Sequence, residues 1–178
     1  MVTLTSYPIY PFSPYYQTVE TLYHASFPPE ERPPYLLASL FALQSQVDFL
    51  AYYDKNIFAG FAYTVRTTQG IFVFLLAVND EVRSKGYGSA MLRTIAEQAK
   101  GLPLVLCIEP MEETASNYDQ RLRRLAFYEK NGFRRQYRQF HELNEVYEIV
   151  ATTDGIDYQK LAKELNRTSL GLLKIRIT

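Results

Sequence analysis

An apolar run, Ile71-Phe72-Val73-Phe74-Leu75-Leu76-Ala77-Val78, is followed within a few residues by Arg83-Ser84-Lys85-Gly86-Tyr87-Gly88-Ser89-Ala90 and then by an unbroken helical pattern. Strand, short glycine turn, helix is a narrow specification. It aims backbone N–H groups and the positive end of a helix at one spot, and such a spot binds phosphate. A pyrophosphate needs several N–H donors on a backbone with no Cβ in the way, and Gly86 and Gly88 allow that. The helix dipole adds about 0.3–1 kcal/mol per charge at an exposed position. Arg83 and Lys85 read either as solvated charges or as partners of phosphates, with the backbone of residues 84–89 in the main role. The spacing is neither the G-x-G-x-x-G of a dinucleotide fold nor a Walker loop, which removes the main support for NAD or ATP. A tight turn that only lets a helix pack is the plain alternative.

The rest of the sequence limits what such a turn can belong to. The 178 residues suit a single domain spanning 1–178, with 47% hydrophobic and 21% charged residues. Lys plus Arg and Asp plus Glu balance at 19 each, which argues against broad nucleic-acid or membrane-surface binding. No run is long enough to span a bilayer, and no secretory signal is visible. The lone Cys107 excludes an intrachain disulfide and fits a reducing compartment, so a cytoplasmic location is expected. Tyrosine is abundant, at 15 residues, and some of these are candidates to line a pocket.

Along the chain, Ser13-Pro14 reads as a helix start, with Val19, Leu22, Tyr23 and Phe27 at helical spacing. The segment Pro28-Pro29-Glu30-Glu31-Arg32-Pro33-Pro34 breaks any helix. A second short helix is predicted over 35–43, with Leu36, Leu37, Leu40 and Phe41 toward the core. Residues 47–53 and 57–65 read as strands around an Asp54-Lys55-Asn56 turn, and Thr68-Gln69-Gly70 turns into the strand 71–78. The helix after Gly88 carries Met91, Leu92, Ile95, Ala96 and Ala99 on one side and ends at Gly101. Residues 104–108 form a continuous apolar strand. A helix over about 119–130 stops at Asn131-Gly132, two strands follow near 134–141 and 146–152, and Asp157 caps a last helix. The order is that of a mixed α/β layer built on one sheet.

The glycine turn has the (Gln/Arg)-x-x-Gly-x-(Gly/Ala) form, and Phe127-Tyr128-Glu129-Lys130-Asn131-Gly132-Phe133 closes the helix after the fifth strand. On these two motifs and the element order, the chain resembles the GNAT superfamily of acetyl-CoA-dependent N-acetyltransferases over about residues 3–153. The resemblance is nearest to a bacterial subgroup with a Pro-Pro-Glu-Glu-Arg-Pro-Pro-like segment between its first helices, an Ile-Glu-Pro end to strand five, and Arg-Arg before the Phe-Tyr pair. It implies an α/β GNAT fold: a mostly antiparallel sheet of about seven strands, splayed between strands four and five, with helices on both faces. It also implies acetyl-CoA as co-substrate, with the phosphates on Arg83, Ser84, Lys85, Gly86, Tyr87, Gly88 and Ser89. The backbone at Leu76, Ala77 and Val78 would then pair with the pantetheine arm and polarise the thioester carbonyl. The sequence departs from the family where many members have an Asn seven residues before the tyrosine. Arg121 stands there, and Asn117, one turn earlier, is the candidate substitute. Residues 154–178 lie beyond the shared core.

By the same resemblance, Tyr128 sits at the thioester as general acid. A phenol of pKa about 10 can give a proton to a departing thiolate. An amine acceptor must also lose a proton before it attacks. Glu109, at the end of an apolar strand, is the first candidate base, directly or through water, with partial burial expected to raise its pKa. Glu30 and Glu31 compete with it, because the first helix–loop–helix of this fold lies over the acceptor. Arg32 reads as a grip for an acceptor carboxylate or as a salt bridge within the loop. His24 and His141 have no partner spacing, Cys107 reads as inert core, and no metal is indicated. The expected activity is direct acetyl transfer to a small-molecule or peptide amine, in which amine and donor are bound together. The alternative is a non-catalytic acyl-CoA-binding or sensing module, and a further one is another nucleotide in the phosphate site. A sheet edge or the 154–178 tail is a candidate homodimer surface. The acceptor is not legible.

Overall fold

The computed structural model describes residues 2–29 and 32–178. In chain order the elements are β1 (Thr5–Pro8), α1 (Tyr16–Ser26), α2 (Tyr35–Phe41), β2 (Val47–Asp54), β3 (Ile57–Arg66), β4 (Ile71–Val78), α3 (Tyr87–Gln98), β5 (Leu104–Ile108), α4 (Tyr118–Lys130), β6 (Arg134–Glu142), β7 (Glu145–Ala151), α5 (Tyr158–Thr168) and β8 (Arg176–Ile177). Hydrogen bonding orders the strands as β1-β2-β3-β4-β5-β7-β6-β8, a mixed α/β architecture. Two compact units share this chain, Met1–Arg66 with Phe74–Gln98, and Thr67–Val73 with Ala99–Thr178. Strand β4 passes from the second to the first at Val73.

In the first unit, β1, β2 and β3 pair antiparallel. Tyr23 of α1 and Tyr35 of α2 lay their rings on the sheet, Tyr23 at 5.8 Å from Phe61 and Tyr35 at 5.8 Å from Phe49. Each phenol keeps its hydroxyl satisfied by donating to a backbone carbonyl, Tyr23 to Pro33 and Tyr35 to Tyr16, both at 2.7 Å. Helix α3 buries Met91, Leu92 and Ile95, as its spacing predicts, whereas Ala96 faces solvent. β3 and β4 cross tightly at Gly60, where φ is +152° and an added Cβ would lie 2.1 Å from the Ala77 carbonyl oxygen.

In the second unit, β4 and β5 are parallel over Ile71–Val73 and Leu104–Leu106, after which β4 leaves for the first unit. This is the parallel step expected of the splayed family sheet. β5 pairs with β7, β7 with β6, and β6 with β8, all antiparallel. Phe72 stacks on Phe140 at 5.2 Å. The expected Asp157 cap forms, its Oδ1 accepting from the Lys160 N–H at 3.0 Å. Leu161, Ala162 and Leu165 are buried beneath α5. The 154–178 segment is part of this unit's packing. Glu164 accepts from the N–H and hydroxyl of Thr68 at 2.7 and 2.6 Å, and Asn166 exchanges two 2.7 Å hydrogen bonds with the backbone of Ile175.

Three local expectations are corrected. Helix α1 starts at Tyr16 rather than at Ser13-Pro14, and the Ser13 hydroxyl, buried, caps nothing. On α2 the apolar stripe is turned: Leu36 and Leu40 are 57% and 46% exposed and Leu37 and Phe41 half-buried, whereas Tyr35, Ala38 and Ser39 are buried. The bulk of the Tyr35 ring fills the space over Phe49, the small residues at 38 and 39 let the helix approach, and the Ser39 hydroxyl is satisfied by the Leu36 carbonyl at 2.8 Å. Strands β1 and β8 are additional to those read from sequence.

Burial pushes the Cys107 thiol well up, with the Glu142 carboxylate adding to the effect, which disfavours the thiolate. Burial also raises the Glu142 carboxyl from 4.5 to about 7. A folded-state value above the unfolded one contributes stability that is complete below 4.5 and is lost as pH rises through about 7. The urea midpoint of the wild type, taken relative to Glu142→Gln, is therefore expected to fall between these values and to level off above them. A second outcome follows from the strand crossing. Gly60→Ala is expected to cost about 3–5 kcal/mol in chemical denaturation, because the obstacle is a backbone carbonyl that cannot rotate away.

Candidate functional site

The glycine turn before α3 is built from its ends. Asn79 closes β4: its N–H donates to the Ala59 carbonyl at 2.9 Å, its Nδ2 to the Phe58 carbonyl at 3.0 Å, and its Oδ1 accepts from the Glu81 N–H at 3.3 Å. That cap starts a single 3-10 turn over Asp80–Val82. Val82 buries its side chain, and the chain then enters the left-handed region at Ser84 (φ 64°) and Gly86 (φ 83°). Helix hydrogen bonding resumes where the Ala90 N–H reaches the Gly86 carbonyl at 3.0 Å. Between these points the N–H groups of residues 84–89 have no backbone partner among the described residues. A Cβ placed on Gly86 meets nothing within 4 Å, so it is the positive φ rather than crowding that calls for glycine there. Six successive donors without backbone acceptors at a helix N-terminus make this turn a candidate anion cradle.

The side chains around the cradle divide differently from expectation. Arg83 pairs with Asp80 at 2.6 Å and both are exposed, so its charge is locally matched. Lys85 and Ser84 are exposed, and Ser89 is half-buried. Tyr87 is only 6% exposed, and its hydroxyl donates to Asp54 Oδ2 at 2.9 Å. That hydrogen bond, burial and the nearby Asp54 charge raise the Tyr87 phenol. On β4, Ala77 is buried and Leu76 and Val78 half-buried, leading directly into Asn79.

The second group of predicted residues lies where β5 hands over to α4. Glu109 is held from three sides. Its Oε1 accepts from Asn117 Nδ2 at 2.8 Å and lies 3.5 Å from Arg121 Nε, and its Oε2 pairs with Arg124 Nη1 at 2.5 Å. Arg121 also donates to Asn117 Oδ1 at 2.8 Å and to the Pro110 carbonyl at 2.6 Å. Both ends of the Asn117 amide are thus engaged within the protein, and both Glu109 oxygens already accept. Tyr128, four residues beyond Arg124 on the same face of α4, is half-buried between Phe127 and Phe133, at ring distances of 5.2 and 5.6 Å. Burial raises its phenol and the Arg124 guanidinium opposes the shift. The helix stops as predicted at Asn131-Gly132, where Gly132 (φ 87°) frees the Phe133 N–H to return to the Tyr128 carbonyl at 3.1 Å.

Glu30 and Glu31 lie outside the described residues. Arg32 donates Nε to the Phe27 carbonyl at 2.7 Å and stands 5.3 Å over the Tyr23 ring, which makes it a clasp on its own loop. The structure therefore groups 83–89 behind 76–78, and separately Glu109 with Asn117 on the helix that carries Tyr128. Sequence reasoning missed Asn79, Asp54 and Arg124. Only Asn79 had a signal, an Asx residue directly after an apolar strand and two before an acidic one.

Residues 45–135 match the Acetyltransferase (GNAT) domain, and the chain belongs to that family. Solved structures repeat its fold. A Bacteroides thetaiotaomicron protein assigned to the GNAT family is 24% identical, with a TM-score of 0.77, over 94% of this chain and 98% of its own. An acetyltransferase of Bacillus subtilis in complex with CoA is 14% identical, with a TM-score of 0.59, over 85% and 97%. The ribosomal-protein-S18-alanine N-acetyltransferase of Escherichia coli is 19% identical, with a TM-score of 0.59, over 87% and 98%. No curated protein matches the chain.

The Tyr128 environment makes a direct test. In the folded protein, the Tyr128 ring carbon resonance followed by 13C NMR is expected to titrate above the ordinary phenol value of about 10. Arg124→Gln removes the opposing charge and is expected to move that midpoint higher. An unshifted midpoint in the variant would show that Arg124 does not act on this phenol.

Proposed function

We propose that this GNAT-family protein is an N-acetyltransferase that passes the acetyl group of acetyl-CoA directly to a primary amine bound at the same time. The observation that carries this reading is the turn 84–89, whose six N–H groups have no backbone acceptor among the described residues. It fits a pyrophosphate in donor number and in the absence of a blocking side chain. The CoA bound to the Bacillus subtilis neighbour supports the same choice of ligand. When bound, acetyl-CoA supplies an activated acyl group and a thiolate leaving group.

The chain's own residues then have distinct tasks. Residues 84–89 hold the phosphates, and the β4 backbone at Leu76, Ala77 and Val78 aligns the arm that carries the thioester. Tyr128 holds a proton on Oη for the departing sulfur. Its burial suits it to this task, because a raised phenol stays protonated across the physiological range. Asn117 and Arg121 brace the segment between β5 and α4. The ammonium proton of the acceptor leaves to water or to a carboxylate among Glu30, Glu31 and Glu109. The acceptor is a small-molecule or peptide amine, and Arg32 is a candidate contact to it.

A second reading, an acyl-CoA-binding module without turnover, has one observation in its favour: both Glu109 oxygens are engaged by Asn117 and Arg124, the part of a brace between β5 and α4. Thiol release from acetyl-CoA over a chemically diverse amine panel separates the two, with CoA binding measured by calorimetry alongside. The enzyme reading expects turnover with at least one amine class, and CoA binding without turnover favours the module. Tyr128→Phe is expected to lower kcat by about 10²-fold or more while CoA affinity stays within about twofold, the pattern of a lost proton donor. Equal kcat in the variant removes Tyr128 from the acid role.

A further inference from the structure

The phosphate turn has two anchors, and both end on the same hairpin. At its start, Asn79 is tied to the carbonyls of Phe58 and Ala59, the second and third residues of β3. At its end, Tyr87 is tied to Asp54, the last residue of β2. Between Asn79 and Tyr87 the described hydrogen bonds and ion pairs are local, the 3-10 turn and the exposed Arg83–Asp80 pair, and only the Val82 side chain is buried. Tyr87 lies between Gly86 and Gly88, which leave the backbone on either side unrestrained by side chains. Its ring, buried, and its hydroxyl, held at 2.9 Å, therefore fix where α3 begins and how the preceding N–H groups point.

We propose that Asp54 is a positioning residue for the phosphate cradle: through the Tyr87 hydroxyl it clamps the first turn of α3 to the β2–β3 hairpin, so that the hairpin sets the aim of the 84–89 N–H groups. This rests on the reading of that turn as the CoA phosphate site. The choice of residue is informative. A carboxylate near an anion site opposes the anion by Coulomb repulsion. A purely electrostatic site has no use for one, whereas a clamp needs a strong acceptor for a phenol. Asp54 is half-buried and its Oδ2 is occupied by that hydrogen bond. The geometry thus separates the acceptor function of Asp54 from its charge.

That separation gives the test. CoA affinity is measured by calorimetry for the wild type, Asp54→Ala, Asp54→Asn, Tyr87→Phe and the double variant Asp54→Ala/Tyr87→Phe. In parallel, backbone 15N order parameters of residues 84–89 are measured without ligand. Asp54→Ala and Tyr87→Phe are each expected to weaken CoA roughly tenfold, with the double variant no weaker than either, because one hydrogen bond is removed in all three. Asp54→Asn keeps an acceptor, loses the charge, and is expected to restore affinity. Order parameters over 84–89 fall in the Ala and Phe variants and recover in Asn. A residue that merely stabilises the fold would lower the melting temperature with affinity and order parameters unchanged, and that result overturns the proposal, as does additivity of the two single substitutions. If the wild type fails to bind CoA, the ligand reading falls. The clamp is then decided by the order parameters alone, and unchanged values in Asp54→Ala and Tyr87→Phe overturn it.

Discussion

At Gly60 the chain tolerates no side chain, because the Ala77 carbonyl oxygen occupies the position a Cβ would take. The path of the chain into the turn before α3 depends on that approach. It brings the end of β4 against the start of β3 closely enough for Asn79 to bond the carbonyls of both Phe58 and Ala59. Asn79 in turn caps the 3-10 turn that lifts the chain out of the sheet before Ser84. A larger residue at 60 would push the strands apart and move the origin of the loop. The cradle is therefore set less by the glycines inside it than by a glycine on the neighbouring strand. Gly86 permits the left-handed turn, but Gly60 and Asn79 decide where it stands.

The Glu109 group applies a comparable logic to α4. One carboxylate faces two guanidiniums and an amide, and these come from the loop and from successive turns of the helix. Arg124 is more exposed than Arg121, so its ion pair is the more screened and contributes the less to stability. What the group provides is direction. Arg121 reaches back to the Pro110 carbonyl, and Asn117 closes on Glu109, so the helix leaves its loop at a fixed angle. Tyr128 lies near the far end of that helix, wedged between Phe127 and Phe133. An error in the angle at Asn117 would be carried along the helix to its hydroxyl.

The parts that were legible in the sequence share a cause. β4, α3, β5 and the Asn131-Gly132 stop are set by local patterns: an apolar run, a helical period, a glycine that alone fits positive φ. The parts that were not legible are set by tertiary contact. The stripe of α2 was misread because leucines at 36 and 40 outweigh an alanine and a serine in any hydropathy pattern, whereas the Tyr35 ring decides the packing. Ser13-Pro14 has the residues of a cap, yet the helix begins beyond them. β1 has four residues and ends in proline, and β8 has two, so neither shows a period. At the candidate site, the two motifs marked the turn and Tyr128. The partners that hold them, Asp54, Asn79 and Arg124, come from segments whose proximity exists only after folding.

The division of labour within the turn bears on how an anion is recognised. The chain carries as many acidic as basic residues, so no strong overall field draws an anionic ligand from a distance. Near the turn, Arg83 is matched by Asp80 and Tyr87 by Asp54. Beside the exposed Lys85 ammonium, what stays unmatched is the row of N–H dipoles at 84–89, and dipoles act at short range and in fixed directions. Such a site discriminates by shape more than by charge. A ligand whose oxygens meet several N–H groups at once gains more from such a site than a small anion that reaches one or two of them. The pyrophosphate proposed as the ligand meets that requirement, and the backbone path from Gly60 through Asn79 to Tyr87 is pinned at both ends, while the exposed side chains on the turn itself are left to solvent.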